Sequence, residues 1–266
     1  MTISRILVGS RALSLATALG VVLLPVPTHA LTGAEVITRA RQATAGVREK
    51  TMRVTLRISD RSGARLTRSL EGWEKNSESG RKILWTFTSP AEVAGTRFLA
   101  LQEPRGGPER LWVYLPAQRR VRQVPDEVLR YPFQGANFTF DDLSTIFYFD
   151  YAGEHRLEGE RACSSGDCWV VDTTLRDGRF AYSRLVSWIA RDTWVPDRIE
   201  FFEGDRLAKI LRVQKSGPVD GIPTVLEMEM ESPDSGCRTA VEYGDVHYNS
   251  GLNDSLFTVA YLSAGK

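Results

Sequence analysis

From Lys50 onward, apolar and polar residues alternate with a period of two. Val54, Leu56 and Ile58 interleave with Arg53, Thr55 and Arg57, as expected of a half-buried strand. The clearest case sets Leu226, Met228 and Met230 on one face against Glu227, Glu229 and Glu231 on the other. A slip of one residue there would bury the glutamates. Lys82 to Thr88, Leu111 to Leu115, Trp169 to Leu175 and Arg198 to Phe202 are further β-rich segments. Turn-forming clusters recur between such segments, among them Asp60-Arg61-Ser62-Gly63, Asn76-Ser77-Glu78-Ser79-Gly80 and Pro233-Asp234-Ser235-Gly236. Strands joined by short turns predict an antiparallel meander rather than βαβ units. The expected class is mainly β: one curved sheet of about ten or more strands, long enough to curl or close, with two or three short helices.

Two places break the period. Thr32-Gly33-Ala34-Glu35 is a capping box, with Leu31 and Val36 placed as a hydrophobic staple. Val36, Ile37 and Ala40 then form the apolar stripe of a helix. Arg130 to Phe149 reads as a loop and a short helix, opened by a second box, Thr139-Phe140-Asp141-Asp142, and continued by Leu143, Ile146 and Phe147.

Ahead of the first box, Arg5 and Arg11 precede an uncharged run from Ala12 to Leu24, and Thr28-His29-Ala30 supplies small residues at a cleavage site. Residues 1–30 therefore read as a signal peptide, leaving 31–266 as one domain outside the cytoplasm. The apolar run falls short of the roughly 20 residues that span a bilayer. Formal net charge is +1 for the whole chain and becomes −1 once the basic pair is removed. That balance argues against nucleic acid as a partner.

In an oxidising compartment, Cys163 and Cys168, framing the turn Ser-Ser-Gly-Asp, read as a disulfide. Cys237 is left as a partly buried thiol. No second Cys/His pair stands at zinc spacing, so no metal is expected, and no cofactor motif occurs. There is no nucleophile elbow, zinc-protease helix or phosphate-cradling loop, and the chain reads as a non-enzyme without catalytic residues. Asp141 and Asp142 suit a helix N-terminus better than acid–base work. The three glutamates suit a solvated strand face. Arg119, Arg120 and Arg122 suit a solvated hairpin, with a membrane surface as the rival contact.

Trp85, Phe87, Phe98, Trp112, Tyr114, Phe201, Phe202, Met228 and Met230 lie on predicted strands. Core packing explains each alone. Some strands are apolar on both faces, however: Leu111, Val113 and Leu115 alternate with Trp112 and Tyr114. Such a sheet, with few helices to cover it, leaves apolar surface for a hydrophobic ligand. Trp85, Phe87, Phe98, Trp112, Tyr114, Leu226, Met228 and Met230 are the candidate wall. Whether the Leu226/Met228/Met230 face lines a cavity or a dry core stays open.

Three segments carry a family likeness. Phe87-Thr88-Ser89-Pro90-Ala91-Glu92-Val93-Ala94-Gly95-Thr96-Arg97-Phe98-Leu99 resembles the "P-A-x-V-x-G-T-x-F-L" signature of the outer membrane lipoprotein-sorting protein family. Leu111 to Arg122 is similar to its "W-x-Y-L-P-x-x-x-R-V-R" strand. Gly135-Ala136-Asn137-Phe138-Thr139-Phe140-Asp141-Asp142-Leu143 is similar to its "G-S-D-F-T-Y-E-D-L" segment, with Ala136-Asn137 in place of Ser-Asp. The resemblance implies the fold of the periplasmic carriers LolA and LolB, an unclosed antiparallel β-barrel with short helices as a lid over an acyl-chain cavity. Phe138, Phe140, Leu143 and Ile146 would belong to that lid. It also implies a periplasmic carrier of lipid or lipoprotein acyl chains, moving them towards the outer membrane and touching membranes only transiently, with an RND/MMPL-type exporter as partner. The rival reading is an interaction module that docks on such an exporter and carries no lipid. Extraction of the natively purified protein separates the two.

Overall fold

Among the described residues, thirteen antiparallel strands form one sheet. The computed structural model describes residues 30–44, 46–104, 109–144, 149, 151–176, 178 and 180–264; the leader predicted over residues 1–30 lies outside them but for Ala30. The strands are β1 (Glu49–Ser59), β2 (Arg65–Ser77), β3 (Gly80–Ser89), β4 (Arg97–Gln102), β5 (Glu109–Leu115) and β6 (Arg120–Val124), then β7 (Gly153–Cys163), β8 (Gly166–Leu175), β9 (Arg184–Ala190), β10 (Pro196–Glu203), β11 (Arg206–Val219), β12 (Ile222–Ser232) and β13 (Cys237–Tyr248). Helices α1 (Gly33–Gln42), α2 (Phe140–Ser144) and α3 (Val259–Ala264) accompany them.

The order across the sheet is β6-β5-β4-β3-β2-β1-β13-β12-β11-β10-β9-β8-β7. Consecutive strands pair with one another, as hairpin turns require, except β6 and β7, and the first strand pairs with the last. The sheet is not closed, and its edges are β6 and β7. These two are consecutive in sequence, so residues 125–152 must pass from one edge to the other. The described part of this connection lies on the inner face as a strap that buries Leu129, Phe133, Phe138, Phe140, Phe149 and Tyr151 in the main core.

Both capping boxes form. The Glu35 amide donates to Thr32 Oγ1 at 3.2 Å while the Thr32 amide donates to Glu35 Oε2 at 2.8 Å. Helix α1 then seats Val36, Ile37 and Ala40 over β7 and β8. In the strap, the Thr139 amide donates to Asp142 Oδ2 at 2.8 Å and the Asp142 amide to Thr139 Oγ1 at 3.1 Å.

A smaller core lies on the outer face, where Leu84 and Leu99 meet Phe257 and Leu262 of the C-terminal segment. Two side-chain caps turn this segment: Asn253 Oδ1 accepts from the Ser255 amide at 2.9 Å and Thr258 Oγ1 from the Tyr261 amide at 3.1 Å. The predicted disulfide is present, with Cys163 and Cys168 Cα atoms 5.9 Å apart across the β7–β8 turn. Cys237 is a free, half-buried thiol.

Candidate functional site

The cavity begins with what β1 and β2 leave unfilled. Met52, Val54 and Leu56 point inward from β1, opposite Gly72, Leu70 and Arg68 of β2. At Gly72 a Cβ would stand 2.8 Å from Met52 Cε and 3.2 Å from Trp85 Cδ1, so glycine lets these two side chains lean together. Between this wall, the α1 C-terminus, the strap and the facing strands β12 and β13 lies a cavity of about 430 Å³. Leu56, Leu70, Met228 and Val241 line its deep part with Phe133 and Phe138 of the strap.

Its other end is polar. Lys50, Glu74, Asn76, Arg81, Gln102 and Glu103 line it, near Arg41 of α1. Arg81 Nε donates to Asn76 Oδ1 at 3.2 Å and its Nη1 to Gln102 Oε1 at 3.3 Å. The Lys50 ammonium sits 5.0 Å from the centroid of the Tyr243 ring. Burial, with the Glu74 carboxylate nearby, pushes the Tyr243 phenol up.

The strap is tied at three kinds of point. Asn137 Nδ2 donates to the Met230 carbonyl at 3.0 Å, to Ser232 Oγ at 3.1 Å and to the Cys237 carbonyl at 3.1 Å. Lys209 Nζ reaches Asp142 Oδ2 at 2.9 Å. Phe133 packs against Trp85, Phe87, Phe98 and Phe140 with ring centroids 4.8–5.7 Å apart. The first and third family segments therefore meet in one aromatic cluster. Gly95 of the first segment also packs beside Pro116 of the second, which a Cβ there would approach to 3.2 Å.

The candidate wall divides. Trp85 and Met228 line the cavity. Phe87, Phe98 and Met230 are buried on the same face, the first two beneath Phe133 and the last beside Asn137, away from the cavity lining. Trp112 and Tyr114 are on the outer face with Leu84, Leu99 and Leu262, because α3 covers the second apolar side of β5. Leu226 also departs from the Met228 face. The register of β11 against β12 steps from Lys215–Glu227 to Ser216–Val225, so Leu226 falls in the irregularity and Val225 takes the inward place. In the lid, Phe138 and Leu143 line the cavity, Phe140 packs on Phe98 and Phe133, and Ile146 lies outside the described residues.

Polar residues singled out in the sequence also have places. Glu227, Glu229 and Glu231 are half-buried and face Lys215, Arg238 and Arg212 in ion pairs. Arg120 and Arg122 are exposed on edge strand β6. The Cys163 and Cys168 sulfurs lie near the Asp197 carboxylate, but their disulfide removes the thiolates a metal would need.

An unclosed antiparallel half-barrel strapped across its inner face is a LolA-like fold. The model of a family described as an uncharacterized-protein-like family, DUF1329, matches residues 79–264, and the chain belongs to that family. Among solved structures, a DUF1329 family protein from Desulfovibrio piger is 28% identical with a TM-score of 0.81, covering 86% of this chain and 97% of that one. A putative outer membrane lipoprotein-sorting protein domain from Vibrio parahaemolyticus is 24% identical with a TM-score of 0.79, covering 87% and 98%. The LolA superfamily protein NE2245 from Nitrosomonas europaea is 19% identical with a TM-score of 0.68, covering 87% and 100%. The last two show likeness of fold. No curated protein matches the sequence.

Proposed function

We propose that this protein is a periplasmic carrier that takes acyl chains of a lipid or lipoprotein into the strapped cavity and moves them towards the outer membrane. The observation that carries the reading is the cavity of about 430 Å³, apolar in depth and polar at one end, on the inner face of an unclosed sheet. Burying an acyl chain is worth about 0.8 kcal/mol per CH₂. A chain of ordinary length therefore gains on the order of 10 kcal/mol in such a site, which is what crossing water requires. The half-barrel fold shared with a lipoprotein-sorting domain and the Cys163–Cys168 disulfide support an oxidising, extracytoplasmic compartment. On this reading the chain is not an enzyme, binds no nucleic acid, touches membranes transiently and works beside an RND/MMPL-type exporter. The exposed Arg120 and Arg122 on edge strand β6 suit brief contact with an anionic surface.

A second reading, a docking module that carries nothing, is favoured by the strap's own aromatic packing, which fills the inner face around Phe133. Organic extraction and mass spectrometry of protein purified from its native periplasm separate the two. The carrier reading expects co-purifying lipid in near-stoichiometric amount, and lipid-free protein would overturn it.

A further inference from the structure

A sheet left unclosed has two edges, and in this one they are built differently. At β7 the usual means of refusing a further strand are present. Its ladder with β8 steps between Leu157 and Gly159, where Gly159 has a φ of +117°, and such a bulge bends the strand and interrupts pairing. Helix α1 lies against β7 so closely that a Cβ on Gly33 would stand 2.6 Å from the His155 carbonyl oxygen. The carboxylates of β7 are satisfied within the chain: Glu154 pairs with Arg176, Glu158 with Arg156 and Glu160 with Arg191.

β6 has none of these. Its ladder with β5 runs without a step from Leu111–Val124 to Leu115–Arg120, no proline interrupts it, and no strand pairs with its other side. A regular edge of this kind presents a row of unpaired N–H and C=O groups. Arg119, Arg120 and Arg122 are exposed, and among the described residues no carboxylate forms an ion pair with any of them. Val124 packs on the main core and Val121 on the outer one. Alternation therefore sets Arg120 and Arg122 together on the inner side of the edge, with Val121 between them on the outer side.

These charges decide what can pair there. A second copy of β6 would bring arginine beside arginine, which is unfavourable. A segment with Asp or Glu at alternate positions would place a carboxylate about 5 Å from each arginine in the ladder and continue the hydrogen bonding at the same time. Apolar residues between the acidic ones would fall beside Val121. An anionic membrane surface would use the arginines but not the ladder, because headgroups offer no matching row of N–H and C=O groups. Strand addition uses both features.

We infer that β6 is a docking edge for an extended acidic segment of a partner protein, which adds a strand to the sheet with its carboxylates at Arg120 and Arg122. The inference does not depend on what the cavity carries. Three fluorescein-labelled peptides test it by anisotropy against the purified protein: one alternating Glu and Val, one alternating Lys and Val, and a Glu/Val peptide N-methylated along its backbone. Hydrogen exchange of the β6 amides is followed with and without peptide, and phosphatidylglycerol vesicles are tested by flotation. The expected result is binding of the unmethylated Glu/Val peptide alone, with exchange slowed over Arg120–Val124. Arg120→Glu/Arg122→Glu should weaken that peptide about tenfold and admit the Lys/Val peptide instead. Arg120→Gln/Arg122→Gln, which removes the charge without reversing it, should weaken the first and not admit the second. Unchanged circular dichroism and melting establish that each variant is folded. Equal binding of the N-methylated peptide, or binding that leaves β6 exchange unchanged, would overturn strand addition. Vesicles that bind through Arg120 and Arg122 while the Glu/Val peptide does not would assign these arginines to a membrane surface and overturn the partner segment. Indifference of the peptide to the charge reversal, or failure of both peptide and vesicles to bind, would overturn it as well and leave the arginines as guards against self-pairing.

Discussion

Lys209 of β11 reaches 2.9 Å from Asp142 in the strap, and the two side chains are 14% and 1% accessible. The same carboxylate oxygen receives the Thr139 amide at 2.8 Å, so one buried atom caps α2 and anchors the strap. Two charges are costly to desolvate, and removing one partner costs more than removing both. Lys209→Met should therefore destabilise the fold by about 3 kcal/mol. Adding Asp142→Asn to it should recover part of that loss. Denaturant unfolding of the single and double variants checks this, and a double variant no better than Lys209→Met would show that the pair is not coupled.

Met228 and Met230 are both on the inner face but meet different surroundings. Met228 lines the cavity, whereas Met230 is fully buried away from the lining, with its carbonyl bonded to Asn137. Met230→Gln places an amide where no water reaches and should cost about 1–3 kcal/mol. Met228→Gln turns its amide towards a cavity that water can enter, and the loss should be smaller. Thermal melts of the two variants decide this; equal losses would mean that Met228 is as dry as Met230.

His155, half-buried on β7 with Nδ1 3.0 Å from Thr173 Oγ1, gives a pH dependence. Burial, then the charges of Arg41 and Arg176, pulls its imidazole below the usual range. Its neutral form is thus favoured in the fold, and the unfolded chain takes up the proton first as pH falls. Its contribution is fully present above the unfolded value of about 6.5 and declines as pH falls below it towards the lower folded value. His155→Gln should flatten that part of the stability–pH curve, as urea titrations at several pH values would show.

Reduction of Cys163–Cys168 opens a loop spanning a sequence separation of 5. So short a ring restricts the unfolded chain little, and chain-entropy arguments give about 2 kcal/mol. Treatment with reductant, or the Cys163→Ser/Cys168→Ser variant, should lower the melting temperature and leave the sheet intact by circular dichroism. Loss of the β signal on reduction would contradict this.

Local rules made much of this fold readable. Period-two alternation marked β1 and most of β12, turn clusters separated strands, and Thr32–Glu35 and Thr139–Asp142 announced both capping boxes. What escaped depends on distant partners. Trp112 and Tyr114 looked like cavity wall because nothing near them in sequence shows α3 arriving to cover the outer face. Leu226 followed the alternation, but the register step is set by how β11 meets β12. The polar end of the cavity was missed altogether, since Lys50, Glu74, Arg81 and Gln102 are strand-terminal residues brought together only when four strands align.

The pairing of β1 with β13 governs how this chain can be assembled. β1 to β6 can zip up one after another as soon as they exist, each beside the strand made just before it. The far side of β1 must wait for the last strand of the chain, leaving an open row of backbone donors and acceptors through most of synthesis. The central ladder is therefore also the most non-local, and closing it late makes for slow folding. A chain threaded through a membrane N-terminus first would then hold its two half-sheets apart until β13 emerged, and only at that moment would the cavity acquire its second wall.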